Sequence, residues 1–269
     1  MKKLTIITVN LNNKSGLIKT IDSVLEQSFK DFEYVIVDGG SSDGSFDVIQ
    51  AAEARFPGLI WRSEPDSGVF NAMNKGIHLS KGEYLLFLNS GDYLVNDSVL
   101  SHVLDELHDV DILLGIARVT KYGNVIWNAF PKTEYTLNDF YYGSIAHQAS
   151  FIKRDLFVSY GDYREDLKFM SDWEFFLRTI ILNQCSLLPL DVLICDYNFE
   201  GLSSDVKNRD VILHEKSKVF SDLGLSRIIS DYSEREQWLS NHRPALWAWK
   251  NPILHRLISF LYKLSHKNV

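Results

Sequence analysis

The sequence predicts an α/β fold, a mostly parallel sheet with helices packed on its faces. Three observations carry this expectation. Short apolar runs alternate with amphipathic stretches over residues 4–88. Two of the runs end in acid-bearing turns, at Asp38 and Asp92. The chain has 269 residues, 45% hydrophobic and 23% charged, enough for one large α/β domain or one domain with an appendage.

Leu4 to Val9 reads as the first strand. Gly16 to Ser28 reads as a helix, with Leu17, Ile18, Ile21, Val24 and Leu25 on one face and Ser15 as its N-cap. Glu33 to Val37 is the second strand, and Ser45 to Phe56 the second helix. Leu59 to Arg62 is a short strand, Val69 to Leu79 a helix and Tyr84 to Leu88 a strand. The rhythm loosens after residue 100. Val110 to Val119 and Asn124 to Phe130 read as strands joined at Tyr122-Gly123-Asn124. Asp172 to Leu182 is a helix rich in large apolar residues, Leu187 to Cys195 a strand, and Gly201 to Asp205 a loop. Asn251 to Lys267 is a helix that starts near Pro252.

The net charge of −7 argues against a general nucleic-acid binder, which carries a basic face. The charge is uneven. Residues 241–269 hold Arg243, Lys250, Arg256, Lys263 and Lys267 and no acid, so −7 overall leaves −12 on residues 1–240. The last helix sets Ile253, Leu254, Leu257, Ile258, Leu261 and Leu264 on one face, after Trp247 and Trp249. That pattern suits an interfacial membrane helix and equally a helix docked on the core. No apolar run is long enough to span a bilayer, and the first strand is too short for a signal-peptide core. The expected location is the cytoplasm, peripheral on the inner membrane if the helix binds lipid. Cys185 and Cys195 have no zinc-like spacing and read as two buried thiols.

The chemistry concentrates at strand ends. Asp38 closes the second strand and opens Gly39-Gly40-Ser41-Ser42-Asp43-Gly44-Ser45, where open α/β sheets bind ligands. Asp38 either contacts a nucleoside or opens an Asx-turn. The first strand exits into Asn10-Leu11-Asn12-Asn13-Lys14 with no glycine-rich phosphate loop, which disfavours a nicotinamide site and a P-loop. Asp66 precedes a helix on which Asn71, Asn74 and Lys75 share a side, a ligand face or a solvated one. Asn89-Ser90-Gly91-Asp92 is the candidate metal turn: a diphosphate leaving group needs charge stabilisation, which Mg²⁺ or Mn²⁺ on oxygen ligands supplies. Asp172 either caps its helix or acts as general base. His147 is a candidate contact to the acceptor or the diphosphate. Tyr141, Tyr142, Trp127 and Trp173 suit sugar stacking or a core.

In order, Ile-Ile-Thr-Val-Asn at 6, Val-Asp-Gly-Gly-Ser-Ser-Asp-Gly-Ser at 37, Glu-Pro-Asp-Ser-Gly-Val-Phe-Asn-Ala-Met-Asn-Lys-Gly at 64, Phe-Leu-Asn-Ser-Gly-Asp at 87, His-Gln at 147 and Ser-Asp-Trp-Glu at 171 resemble glycosyltransferase family 2. The nearest resemblance is to bacterial exopolysaccharide transferases of the colanic-acid kind. It is strong over residues 4–92, extends to about 205 and is absent beyond. It implies a GT-A fold, Rossmann-like, with a C-terminal helical tail. Residues 1–95 would form the nucleotide-sugar half, 96–205 the acceptor half and 206–269 a helical extension. It also implies inverting transfer from a UDP- or GDP-sugar to a saccharide acceptor, lipid-linked, in bacterial surface-polysaccharide assembly. By the same resemblance Asp38 holds the nucleoside, Asp66 contacts the base, and Thr8 and Asn10 line the nucleotide pocket with Asp43, Asn71, Lys75 and Asn89. Asp92 takes the metal position, for Mn²⁺ or Mg²⁺, and Asp172 is the base, with His147 and Trp173 near the acceptor or diphosphate. The chain departs from the pattern at Asn89 and Gly91, where the family usually has acids.

Two rivals are distinguishable. A non-catalytic carbohydrate-binding or scaffold member would bind donor and yield no product. A nucleotidyltransferase would need the glycine-rich triphosphate loop that the first strand lacks.

Overall fold

The computed structural model describes residues 2–201 and 205–265, with only the backbone described at 244–246, 249 and 262–265. Lys267 and the middle of the Gly201–Asp205 loop lie outside the described residues, as do the side chains of Trp249, Lys263 and Leu264. Contacts group the chain into two compact units, one ending at Glu215 and one beginning at Lys216.

The first unit opens with β1 (Leu4–Asn10), α1 (Lys14–Leu25), β2 (Glu33–Asp38), α2 (Ser45–Arg55), β3 (Ile60–Ser63), α3 (Val69–Leu79) and β4 (Tyr84–Phe87). It continues through β5 (Tyr93–Leu94), α4 (Val99–Leu104), β6 (Ile112–Lys121), β7 (Asn124–Ala129) and α5 (Leu137–Tyr142). A 3-10 turn at His147–Ala149 leads into β8 (Ser150–Lys153), then α6 (Asp155–Tyr160), α7 (Ser171–Phe176) and β9 (Leu187–Asn198). Helix α8 (Arg209–Asp222) starts after a second 3-10 turn, and α9 (Ser226–Lys250) and α10 (Pro252–Ser265) follow.

The strands form one sheet in the order β3-β2-β1-β4-β8-β6-β9-β5, with β7 also paired to β6. The predicted parallel sheet is present over β3-β2-β1-β4. Beyond β4 it turns mixed: β8 pairs antiparallel to β4 and β6, while β9 runs parallel to β6. Side chains alternate faces along a strand. Leu4, Ile6, Tyr34, Ile36, Leu86 and Leu88 bury one face beneath Leu17 and Ile21 of α1, Ile49 of α2 and Val103 of α4. The other face carries Phe87, whose ring meets Phe157 at 6.1 Å and Tyr163 at 5.5 Å. Phe157 stacks on Phe175 at 4.3 Å, a pair worth about 1 kcal/mol beyond its buried area, which ties α7 to α6.

Several sequence expectations change. Ser15 does not cap α1; Asn13 does, its Oδ1 accepting from Gly16 N at 3.1 Å. The helix expected over 172–182 is α-helical only to Phe176 and continues as a π-helical turn, Leu177–Leu182. There the Thr179 hydroxyl donates back to the Phe175 carbonyl at 2.8 Å, the kind of insertion that loosens the helical ladder. The expected β6–β7 turn is present because Tyr122 (φ 50°) and Gly123 (φ 74°) both take the left-handed conformation of a tight hairpin. Cys195 is buried as expected, whereas Cys185 is only half-buried, and both are free thiols.

In the second unit, Asn251 separates α9 from α10 and caps the latter, its Oδ1 accepting from Ile253 N and Leu254 N. Among the described residues no helix is long and apolar enough to cross a membrane.

Candidate functional site

Register builds the first row of the site. Asn10 pairs with Asp38 across β1–β2, and Asp38 with Ser63 across β2–β3, so three polar strand ends stand side by side. Asp38 is fully buried. It accepts from Asn10 Nδ2 (2.8 Å), Ser41 Oγ (2.5 Å), Gly40 N (3.2 Å), Ser41 N (2.9 Å) and Ser63 Oγ (2.7 Å). Burial pushes the carboxyl pKa up, but the bonds from Ser41, Ser63 and Asn10 outweigh it and hold it below its ordinary value. A carboxylate offers about four lone-pair sites, so this one is spent on the turn. Thr8 is likewise sealed in the sheet, its hydroxyl 3.1 Å from that of Tyr34. The resemblance gave both residues to the nucleotide; the bonds present here go to the neighbouring strands and the turn after β2.

Other polar groups stand around the same turn. Asn10 is buried with its Oδ1 unpartnered. Asp66 is half-buried and lies over the β2 exit: a Cβ on Gly39 would meet Asp66 Oδ2 at 2.4 Å, so only glycine admits that carboxylate. Asp66 Oδ1 meanwhile accepts from Gly68 N at 3.0 Å. Asp43 is exposed and ties its own turn to the start of α1, accepting from Lys14 N (2.7 Å), Ser45 N (3.0 Å) and Ser45 Oγ (2.6 Å). The bond from the Ser45 hydroxyl leads the causes that hold its pKa down. The expected polar side of α3 is a brace. Asn71 and Asn74 donate to Glu165 at 2.9 Å each, and Lys75 pairs with Glu64 at 3.0 Å and with the Pro65 carbonyl at 3.1 Å.

The Asn89–Asp92 turn was the expected metal site, and its donors do not fit one. Gly91 offers no side chain. Asp92 is 4% exposed, and its carboxylate accepts from Asn198 N at 2.9 Å and from the Gln148 side chain. Burial pushes its pKa up to about 6. Asn89 Oδ1 is buried and unpartnered, but it is a single neutral oxygen. Among the described residues no group of three or more His, Cys, Asp and Glu side chains is placed to hold a metal ion.

Asp172 lies at the start of α7 and is reached by His147, whose Nδ1 is 2.8 Å from Asp172 Oδ2. The two side chains are 12% and 17% exposed. Asp172 Oδ1 accepts from Trp173 N at 2.8 Å, which fixes the carboxylate plane. The opposite imidazole nitrogen, Nε2, lies 3.4 Å from Asn89 Nδ2. One imidazole therefore joins the acid of α7 to the turn after β4. Trp173 is buried, its indole N–H donating to the carbonyls of Phe140 and Gly143 at 3.1 Å each, so it is core and offers no face to a sugar.

The sequence reasoning missed Gln148 and Asn198 around Asp92, Ser41 and Ser63 around Asp38, and Glu215. Glu215 is buried and accepts from three consecutive backbone N–H groups: Lys168 (2.6 Å), Phe169 (2.9 Å) and Met170 (3.1 Å). Those residues lead directly into Ser171 and Asp172. A buried acid in an otherwise ordinary helix gives no sequence signal; its partners are 45 to 47 residues away.

Strand-end polar groups at Asn10, Asp38 and Ser63 and an acid–imidazole pair at Asp172 and His147 thus stand on one α/β sheet scaffold. The chain belongs to glycosyltransferase family 2, whose family model, "Glycosyl transferase family 2", matches residues 5–159. It is 31% identical over 232 residues to a "PGL/p-HBAD biosynthesis glycosyltransferase" of Mycobacterium bovis (strain BCG / Pasteur 1173P2), covering 84% of this chain and 88% of that one. Among solved structures it resembles S. aureus TarS 1-349 in complex with UDP-GlcNAc, with a TM-score of 0.58, 22% identity and coverage of 74% of this chain and 58% of that one. The mannosyltransferase PcManGT from Pyrobaculum calidifontis, in complex with GDP-Man and Mn²⁺, also gives a TM-score of 0.58, at 14% identity, over all of this chain and 88% of that one. At these identities the structural likeness speaks for the fold: GT-A, as the motifs implied.

Proposed function

We propose that this glycosyltransferase moves a sugar from a UDP- or GDP-sugar to a saccharide hydroxyl by one inverting displacement, with Asp172 as general base. The observation that carries this reading is the His147 imidazole, 2.8 Å from Asp172 and 3.4 Å from Asn89, which brings a proton acceptor to the edge of the donor turn. The acceptor O–H gives its proton to Asp172, and its oxygen forms the bond to the anomeric carbon. The bond from that carbon to the diphosphate oxygen breaks, and its electron pair leaves with the diphosphate. Trp173 N and His147 hold the carboxylate in place, and proximity supplies much of the rate. On the donor side, Asp66, half-buried beside Gly39 at the end of β2, suits a base N–H. The UDP-GlcNAc and GDP-Man of the two structural neighbours support a nucleotide-sugar donor.

No step is routed through a divalent ion, because the Asn89–Asp92 turn does not present a cation site. A thermal-shift comparison of UDP- and GDP-sugars with and without Mn²⁺ checks this; a shift that requires the metal would return Asn89 and Asp92 to that role. The deciding experiment is Asp172→Asn. Nucleotide-sugar binding should persist while transfer falls about 10²- to 10⁴-fold. Normal turnover would remove Asp172 as the base. Donor binding by the unaltered chain without product from any acceptor would favour the non-catalytic reading.

A lipid-borne acceptor is supported by α10. Ile253, Leu257, Phe260 and Leu261 are exposed on it, and Arg256 lies among them. Apolar side chains beside basic ones suit an anionic membrane surface. Sedimentation with anionic but not neutral vesicles, lost on deleting residues 252–269, is the expected result; equal recovery of both chains would refute it.

A further inference from the structure

Between the end of β7 and the His147 turn, residues 130–145 fold around a cavity of about 290 Å³. Its wall is aromatic: Phe130, Tyr135, Phe140 and Tyr142. Phe130 and Tyr142 are 65% and 56% exposed, with Tyr142 packed edge-on against Tyr141 at 4.9 Å. Asn138 adds a polar side chain at the same wall. The segment is braced rather than loose. Asp139 accepts from Thr136 N at 2.8 Å and Thr136 Oγ1 at 3.0 Å, and from Lys132 Nζ at 2.5 Å.

The cavity is also tied to the reacting centre. Phe140 and Gly143, two of its lining residues, accept the indole N–H of Trp173 on their carbonyls, next to Asp172. Ile145 of the wall precedes His147 by two residues, at most about 7 Å of chain.

Open aromatic faces suit the C–H face of a pyranose, and an amide suits its hydroxyls. The volume is that of a small site, at the lower end of the roughly 300–1,000 Å³ range for ligand pockets. We propose that this cavity is an acceptor-sugar subsite, binding one pyranose ring of the saccharide against Phe130 and Tyr142. The proposal rests on the transferase reading above and adds the place where its acceptor is held.

Saturation-transfer NMR on the full chain tests it, with methyl β-glucoside, methyl β-galactoside, methyl α-mannoside and methyl N-acetyl-β-glucosaminide as probes and UDP and GDP as controls. At least one glycoside should receive saturation. Tyr142→Ala and Phe130→Ala should each weaken that binding about tenfold, the scale of one lost aromatic contact, and leave the nucleotide signal unchanged. Asn138→Ala provides a milder variant that keeps every ring. The proposal is overturned if no glycoside binds the unaltered chain, if the variants bind it equally well, or if they lose nucleotide instead. Nucleotide binding without glycoside binding would sink the subsite alone. Loss of both in the unaltered chain would sink the transferase reading as well.

Discussion

In residues 4–92 each site group stands at the end of its own strand: Asn10 after β1, Asp38 and its turn after β2, Ser63 after β3, Asn89 after β4. In residues 93–215 the groups come from distant places: His147 from a 3-10 turn, Asn198 from the end of β9, Asp172 from a short helix, and Glu215 from a helix near the unit's end. A parallel sheet delivers every strand end to one edge, so a local motif suffices in this half. The mixed half has no such common edge, and its site is assembled by long-range hydrogen bonds. Substitutions among the strand-end groups of residues 4–92 should therefore cost mainly stability, and those among the scattered groups of residues 93–215 mainly catalytic alignment.

The largest effect should come from breaking the donor floor. Asp38→Ala strands five donors, Asn10, Gly40, Ser41 N, Ser41 Oγ and Ser63, in a fully buried place. We expect a loss of at least about 3 kcal/mol in urea unfolding and a fall of roughly 10 °C in Tm. A near-normal Tm would mean that the turn is held by something else, and the comparison would fail on its donor side.

Asp92 gives a pH signature. Its folded pKa is about 6, raised by burial from the model-compound value of 3.8. A raised acid contributes most stability below the unfolded pKa and loses it as pH rises through the folded one. Between about pH 4 and pH 7 the native chain should lose about 3 kcal/mol from this group, which Asp92→Asn, having no proton to lose, should not. Unfolding free energies measured across that window should converge at low pH and separate at neutral pH in favour of the variant. Parallel curves would refute the buried, cation-free carboxyl.

The smallest effect should sharpen the acceptor side. Glu215→Gln replaces one oxygen of a three-bond nest with an N–H donor and should cost about 2 kcal/mol. Because the nest precedes Asp172, kcat should fall while donor Kd stays unchanged. A loss of stability with kcat intact would make Glu215 a structural anchor only.

By itself the sequence determined the alternation of strands and helices through Leu88, the acid-bearing turns at Asp38 and Asp92, and the family those motifs point to. These are local properties: apolar period, glycine-bearing turns, and polar residues at fixed offsets from a strand. Even the Asn251 break before the last helix was marked by Pro252. What the tertiary structure decided is which way each acid faces. Asp38 and Asp66 look alike in sequence, yet one is buried under five donors and the other lies open over Gly39. The Asp92 carboxyl is drawn inward by Asn198, 106 residues away, and Asp172 finds His147 only because β8, which no sequence pattern announced, sets the turn before it between β4 and β6. Strand pairing and burial are long-range outcomes, and they set whether an acid is a ligand, a base or part of the frame.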